Sequence, residues 1–217
     1  MGRSLPKLQR KSATREAKAR FVIFCEGKNT EPAYFKAFRA ALKGGALIEI
    51  KTVGGAGVPY PLAEAAVKAV EEARSGNDSF TSQDRVCAVF DRDRHPRFDE
   101  AVELCENNNI LVGRSNPCFE LWLILHKEDY DRSDDECASL QKHLRTLCPE
   151  YDHGRGATPD CNSLVRNVED AEKRAAKQLE ERAKEGFPHG PPSTTVGTIT
   201  ATIREVALKA IPPGGRS

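Results

Sequence analysis

Short apolar runs alternate with amphipathic segments along the first half of the chain. The runs at 21–24 and 86–90 are uninterrupted, which is typical of strands that are buried on both faces of a parallel sheet. Further strands are predicted over 46–53 and 110–112, and helices over 31–42, 61–74 and 98–107. This regular alternation of strand and helix predicts an α/β fold, with a small parallel sheet flanked by helices.

The second half of the chain is predicted to be helical. Helices are expected over 133–147 and 164–184, and Ser193, Thr194 and Thr195 are expected to cap a last helix that ends at 208. We therefore divide the chain into three parts. Residues 1–19 form a flexible basic arm, 20–130 form the core, and 131–217 form a helical accessory region that packs on the core.

Acidic residues follow the two apolar runs at the point where each predicted strand ends. Glu26 comes after the first run, and Asp91 and Asp93 come after the second. Because parallel strands bring their carboxyl ends to one edge of a sheet, these carboxylates are expected to converge there. They would repel one another unless a cation neutralised them, and carboxylate oxygens suit Mg²⁺ or Mn²⁺. The alternative is that they are separate strand-end caps and surface charges.

An apolar segment at 116–126 contains one acid. Asn116 is predicted to cap this segment as a helix, with Pro117 as the first helical residue. The segment is apolar almost all round, which predicts burial and places Trp122 in the core. Glu120 then needs a partner, which could be a cation, the helix N–H groups or a metal. His126 is interpreted as a hydrogen-bonded histidine at the helix end.

Cationic residues lie beside the acids. Lys28, Arg92 and Arg94 are placed to meet phosphate oxygens, although the two arginines could equally balance the neighbouring aspartates. His95 follows them and is the better candidate of the two histidines for an acid or base role.

Net charge and cysteine content narrow the class of protein. The net charge is only +1, but residues 1–20 hold seven Lys or Arg against one acid, which suits either a phosphate backbone or a solubilising tail. The seven cysteines show no CxxC spacing and are interpreted as reduced, buried thiols, which argues against a zinc site. Without a long apolar run, a soluble cytoplasmic protein is predicted.

Four segments in order resemble the signatures of the RloB family. They are Cys25-Glu-Gly-Lys-Asn-Thr-Glu-Pro32, Phe90-Asp-Arg-Asp-Arg-His95, Asn116-Pro-Cys-Phe-Glu-Leu-Trp-Leu-Ile-Leu-His126 and Pro192-Ser-Thr-Thr-Val196. The resemblance runs from about residue 20 to 208. It implies a Toprim-type catalytic core and a link to bacterial restriction and abortive-infection loci, which are antiviral defence systems.

The resemblance also implies residue roles and partners. Toprim proteins use a Glu after the first strand and a DxD after a later one, and these roles carry over to Glu26, Asp91 and Asp93. Glu31 and Glu120 are the best matches for a second metal site. The implied activity is a Mg²⁺- or Mn²⁺-dependent nuclease acting on DNA or RNA, with a separate ABC-type or AAA-like ATPase as partner.

Two other functions are compatible with the same residues. One is a catalytically silent subunit that binds nucleic acid or an ATPase; the clustering of like charges argues against it, because a binding module does not need them. The other is primase-like nucleotidyl transfer, which would use the same metal site but would require nucleoside triphosphates.

Overall fold

A five-stranded sheet with helices on both faces forms the centre of the molecule. The computed structural model of the chain describes residues 19–42, 47–52, 58–76, 84–92, 95–132 and 136–209. The strands are β1 (Arg20–Cys25), β2 (Leu47–Thr52), β3 (Arg85–Asp91), β4 (Leu111–Asn116) and β5 (Ser193–Thr194). Their order is β2-β1-β3-β4-β5; the first four are parallel and β5 is antiparallel to β4. The α/β fold predicted from the sequence is confirmed.

Eight helices cover the sheet within the described residues. They are α1 (Thr30–Ala41), α2 (Pro59–Arg74), α3 (Phe98–Asn107), α4 (Glu120–Leu125), α5 (Cys137–Leu147), α6 (Cys161–Leu164), α7 (Val168–Lys184) and α8 (Val196–Lys209). The C-terminal region is therefore helical, as expected. Within the described part of the chain, no helix combines the length and the apolar character needed to cross a membrane.

The two faces of the sheet carry separate apolar cores because successive strand residues point in opposite directions. In β1, Phe21 and Ile23 pack with α1, α4 and the C-terminal helices. Val22 and Phe24 point the other way, against α2 and α3. Burial on both faces explains why these strands are apolar at every position.

The segment around Pro117 differs from its prediction. Asn116 is the last residue of β4 and not a helix cap, the Asn116–Pro117 peptide bond is cis, and α4 begins only at Glu120. A residue before proline is extended both in a helix cap and at the end of a strand, so sequence alone did not separate the two. Pairing of Asn116 with Ser193 of β5 keeps it in the sheet.

Strand β5 was not predicted. Ser193 and Thr194 were expected to cap the last helix, but they pair with β4, and two residues are too few to show a strand period. Thr195 then fastens α8 to the sheet: its hydroxyl donates to the carbonyl of Val112 (2.7 Å) and accepts from the N–H of Arg114 (3.0 Å). Residues of α8 share one apolar cluster with those of β1.

Two helix boundaries also differ. The helix expected over 164–184 is split into α6, a 3₁₀ turn (Val165–Asn167) and α7. The helix expected from 133 begins at Cys137, with 133–135 outside the described residues.

Replacing Ile199 with alanine should lower the free energy of unfolding by about 2–5 kcal/mol, because its side chain is fully buried against β4. A Cβ placed on Gly113 would lie only 2.8 Å from its Cδ1. Leu208→Ala on the same helix is the control. Because Leu208 is 59% exposed, this substitution should change the free energy of unfolding only slightly. Chemical denaturation measures both; equal small effects would show that α8 does not belong to the cooperative unit.

Candidate functional site

Glu26 joins the carboxyl ends of β1 and β3. Its backbone N–H donates to the carbonyl of Val89 (3.1 Å), which continues the parallel pairing by one residue. Its carboxylate Oε2 accepts from the backbone N–H of Asp91 (3.1 Å). The Nε2 atom of His95 lies 3.6 Å from the other carboxylate oxygen. The expected meeting of the two strand-end acids therefore occurs in the structure.

Glu31 folds back from the first turn of α1 onto the loop that precedes it. Its Oε1 accepts from the N–H of Gly27 (3.0 Å), and only 6% of the residue is exposed. A Cβ on Gly27 would lie 2.0 Å from Glu31 Oε2. Glycine is therefore required at position 27 for the carboxylate to reach this place.

Asp91 carries a buried oxygen without a partner. Its Oδ1 is out of contact with solvent and forms no hydrogen bond with any described residue. Burial raises the pKa of Asp91 well above its usual range, and the negative charges of Glu31, Glu120 and Glu26 raise it further. Buried polar atoms are usually paired, so this unpartnered oxygen suits a cation or a proton.

Glu120 is the first residue of α4 and is 4% exposed. The hydroxyl of Tyr151 donates to its Oε1 at 2.5 Å, and His153 Nδ1 lies 3.4 Å from the same oxygen. Burial opposes ionisation, but the hydrogen bonds from His153, Tyr151 and Cys118 outweigh it, so the pKa of Glu120 is lowered. Its partners thus keep Glu120 ionised although it is buried.

Mutual repulsion connects the four acids. Burial raises the pKa of Glu31 to about 7 against the hydrogen bonds of its own backbone and of Gly27, and Glu120 and Glu26 add to the rise. Two of the other carboxylates thus raise the pKa of Glu31, and three raise that of Asp91. The edge of the sheet holds a single electrostatic unit whose members cannot all be charged at low cost without a cation.

Several predicted site residues lie elsewhere or outside the described residues. Asp93, Arg94 and the basic arm at 1–18 are not among those residues. Lys28 and Arg92 are exposed at the edge. Within the described ranges, no three His, Cys, Asp or Glu side chains are already arranged around one point as a metal site.

His126 has a structural environment. It is buried, its Nε2 lies 3.0 Å from the hydroxyl of Tyr34, and its Nδ1 lies 2.8 Å from the carbonyl of Trp122. Burial lowers its pKa to about 4. Trp122 is fully buried in the same core, as its pattern predicted.

Tyr151 and His153 were missed by the sequence reasoning. They come from the loop between α5 and α6, which sequence alone describes only as rich in Pro, Gly and His. The loop packs against the turn after β1: Gly156 has a φ of 67°, and a Cβ there would lie 2.7 Å from Asn29 Nδ2. This contact is tertiary, so no local signal could reveal it.

Glu31→Gln should remove a pH dependence of stability in metal-free buffer. The pKa of Glu31 is about 7 in the folded state against 4.5 ordinarily, so the native state binds the extra proton between these values. Wild-type stability should therefore fall as pH rises through this window, and Glu31 should contribute up to about 3 kcal/mol of that fall. The variant should lack the Glu31 contribution, while Asp91, whose pKa is also raised, contributes a fall of the same sign in both proteins.

The difference between the two proteins is the quantity to measure, by denaturation at several pH values. His126 contributes a slope of opposite sign, because its folded pKa is lowered, but it does so in both proteins. Glu103→Gln is the matched control, because Glu103 is an exposed acid of α3. Its plot of unfolding free energy against pH should be parallel to that of wild type. A Glu31→Gln curve parallel to wild type would contradict the electrostatic coupling.

Comparison with known proteins identifies the family. The sequence profile of a family described as RloB-like protein matches residues 21–203, from β1 into α8. No curated protein and no solved structure matches the chain. The matched region contains Glu26, Glu31, Asp91 and Glu120. Because the match covers most of the sequence, the chain belongs to the RloB-like protein family.

Proposed function

We propose that the protein is a metal-dependent nuclease that hydrolyses phosphodiester bonds of DNA or RNA. The observation that carries the proposal is the buried, unpartnered Oδ1 of Asp91 at the edge where Glu26, Glu31 and Glu120 also lie. An edge that gathers carboxylates at an electrostatic cost suits a cation and, through it, an anionic substrate.

The side chains fit Mg²⁺ or Mn²⁺ in their chemistry. All the donors are hard carboxylate oxygens, and the raised pKa values of Glu31 and Asp91 reflect burial and repulsion that a cation would relieve. Glu26, Asp91 and Asp93 would hold the first ion, and Glu31 or Glu120 a second. When bound, such ions neutralise the carboxylates and polarise the scissile phosphate.

The protein's own groups supply proton transfer and positioning. Glu26 is held by the N–H of Asp91, which fixes the orientation of its carboxylate and leaves Oε1 facing His95. Glu26 can take the proton of an attacking water, and His95 is placed to exchange it with solvent. Tyr151 keeps Glu120 oriented by its hydroxyl.

Exposed basic side chains near the carboxylates are proposed to contact the substrate. Lys28 and Arg92 are exposed just after β1 and β3, where the chain also carries Glu26 and Asp91, and Arg94 follows Arg92 in sequence. Together with His95, these residues are proposed to contact phosphate oxygens of the nucleic acid. Arginine suits this role because its guanidinium can donate two parallel hydrogen bonds to a phosphate.

The proposed setting is bacterial anti-phage defence. Membership of the RloB-like family supports it through the restriction and abortive-infection loci that the resemblance implies. A separate ABC-type or AAA-like ATPase is the proposed partner, which would supply a nucleotide-dependent trigger.

Cleavage of a mixed panel tests the proposal. Plasmid, single-stranded DNA, total tRNA and structured RNA are incubated with Mg²⁺ or Mn²⁺ and, separately, with EDTA. Wild type should cut at least one substrate only with metal, and Glu26→Gln and Asp91→Asn should each lower the rate by roughly a hundredfold or more. Glu103→Gln should cut like wild type.

The other outcomes separate the alternatives. Folded wild-type protein that binds nucleic acid but cuts nothing, alone or with nucleotide and partner ATPase, would contradict the proposal and favour a silent binding subunit. Products longer than the input strand in the presence of nucleoside triphosphates would instead indicate nucleotidyl transfer.

A further inference from the structure

A cluster of basic side chains lies on the opposite face of the sheet from the carboxylates. The cluster consists of Arg92, Arg114 and His189. Arg92 directly follows Asp91, but its guanidinium lies over the ring of Phe98 on α3, 5.6 Å from the ring centroid. Consecutive strand residues point to opposite faces, so one strand end places an acid on one face and a cation on the other.

Arg114 is held beside Arg92 by the sheet. It lies opposite Phe90 in the register of β3 and β4, and the N–H of Arg92 donates to the carbonyl of Ser115 (2.8 Å). Thr195 fixes the Arg114 backbone on the other side, since its N–H donates to the Arg114 carbonyl (2.9 Å) and its hydroxyl accepts from the Arg114 N–H (3.0 Å). The cluster therefore sits on a rigid support.

His189 completes the cluster from the loop before β5. Its backbone has a φ of 70°, an uncommon conformation for a residue with a side chain, and its carbonyl accepts from Asn116 Nδ2 (2.9 Å). Burial lowers the pKa of His189, and the charges of Arg114 and Arg92 lower it further. His189 therefore lies near both arginines and contributes a neutral imidazole to the cluster.

Nothing among the described residues neutralises this cluster by direct contact. No hydrogen bond or ion pair joins the guanidinium of Arg114 to another described residue, although Asp99 and Glu106 of α3 face it at longer range. His189 Nδ1 is buried and has no hydrogen-bond partner in the described part of the chain. Two guanidinium groups without a direct counter-ion, beside a histidine nitrogen without a hydrogen-bond partner, form a site for an anion.

A polar cavity lies between Arg92 of the cluster and His95, the residue beside Glu26. It has a volume of about 280 Å³ and is lined by Arg92, His95, Arg97, Phe98, Asp99 and Glu100. Arg92 belongs to the cluster, while His95 stands 3.6 Å from Glu26. A chain of phosphates that crosses this edge can therefore meet the carboxylates and the cluster in succession.

We infer that Arg92, Arg114 and His189 form a second phosphate subsite, which binds a backbone phosphodiester of the nucleic acid away from the scissile bond. The inference rests on the proposed function and extends it, because it states where the strand runs: from the carboxylate edge across β3 and β4 towards β5. Two guanidinium groups offer planar pairs of donors that match phosphate oxygens.

Binding of labelled oligonucleotides tests the subsite independently of cleavage. Fluorescence anisotropy is measured with single-stranded DNA and RNA of one sequence, with Ca²⁺ in place of the catalytic metal, over a series of salt concentrations. Arg114→Gln should weaken binding about tenfold at low salt and make the slope of log K against log salt shallower by about 0.7. Arg114→Lys should keep the slope and lose only part of the affinity.

Arg74→Gln is the matched control. Arg74 is exposed in the last turn of α2, which leads back to the opposite edge of the sheet, so its loss should change neither affinity nor slope. A folded Arg114→Gln protein that binds like wild type, or an equal loss in Arg74→Gln, would overturn the subsite. So would a wild-type protein that binds neither oligonucleotide.

The subsite and the proposed function can fail separately. Cleavage by wild type together with unchanged binding by Arg114→Gln would retain the nuclease and remove the subsite. Weakened binding by Arg114→Gln without any metal-dependent cleavage by wild type would retain the subsite and remove the nuclease. Competition by a nucleoside monophosphate as effective as that by the oligonucleotide would show a mononucleotide site and overturn the inferred strand path.

Discussion

Burial of several negative charges at one edge of a sheet is the constraint on which the rest of the structure depends. Carboxylates out of water repel one another and lose hydration, and both effects favour moving them apart. The fold holds them together with specific contacts: the N–H of Asp91 on Glu26, the N–H of Gly27 on Glu31, and the hydroxyl of Tyr151 on Glu120. Each contact comes from a different part of the chain.

At the carboxyl ends of the strands, the two faces of the sheet carry side chains of opposite charge. Asp91 points towards the side of α1 and α4, whereas Arg92 and Arg114 point towards α2 and α3. The boundary between negative and positive groups follows the strand ends, because neighbouring residues of a strand alternate in direction. Negative and positive side chains therefore lie on opposite sides of one line of strand ends, a few residues apart in sequence.

The sequence could predict the parts of the structure that depend on local pattern. Strands buried on both faces are apolar throughout, so β1 and β3 could be recognised, and the acids that follow them could be placed at one edge. Glu120 was recognised as anomalous because a charged residue in an apolar segment needs a partner. The identity of that partner depended on tertiary packing.

The predictions that failed concern features that depend on contacts between residues far apart in the sequence. Asn116 was interpreted as a helix cap because only its pairing with Ser193 shows that it belongs to a strand. Strand β5 is two residues long and has no pattern of its own. Tyr151 and His153 approach Glu120 through a loop whose position is fixed by its contact with the turn after β1. None of these pairings could be read from periodicity.

The place of Tyr151 in the chain has a consequence for biosynthesis. A nascent polypeptide that has left the ribosome as far as α4 already contains all four carboxylates. It still lacks the phenol that orients Glu120, the short strand that pairs with β4, and the helix that packs against Gly113. Contacts of high sequence separation form last, because closing long loops costs entropy. The contact that orients Glu120 can therefore form only after the loop that carries Tyr151 has been synthesised.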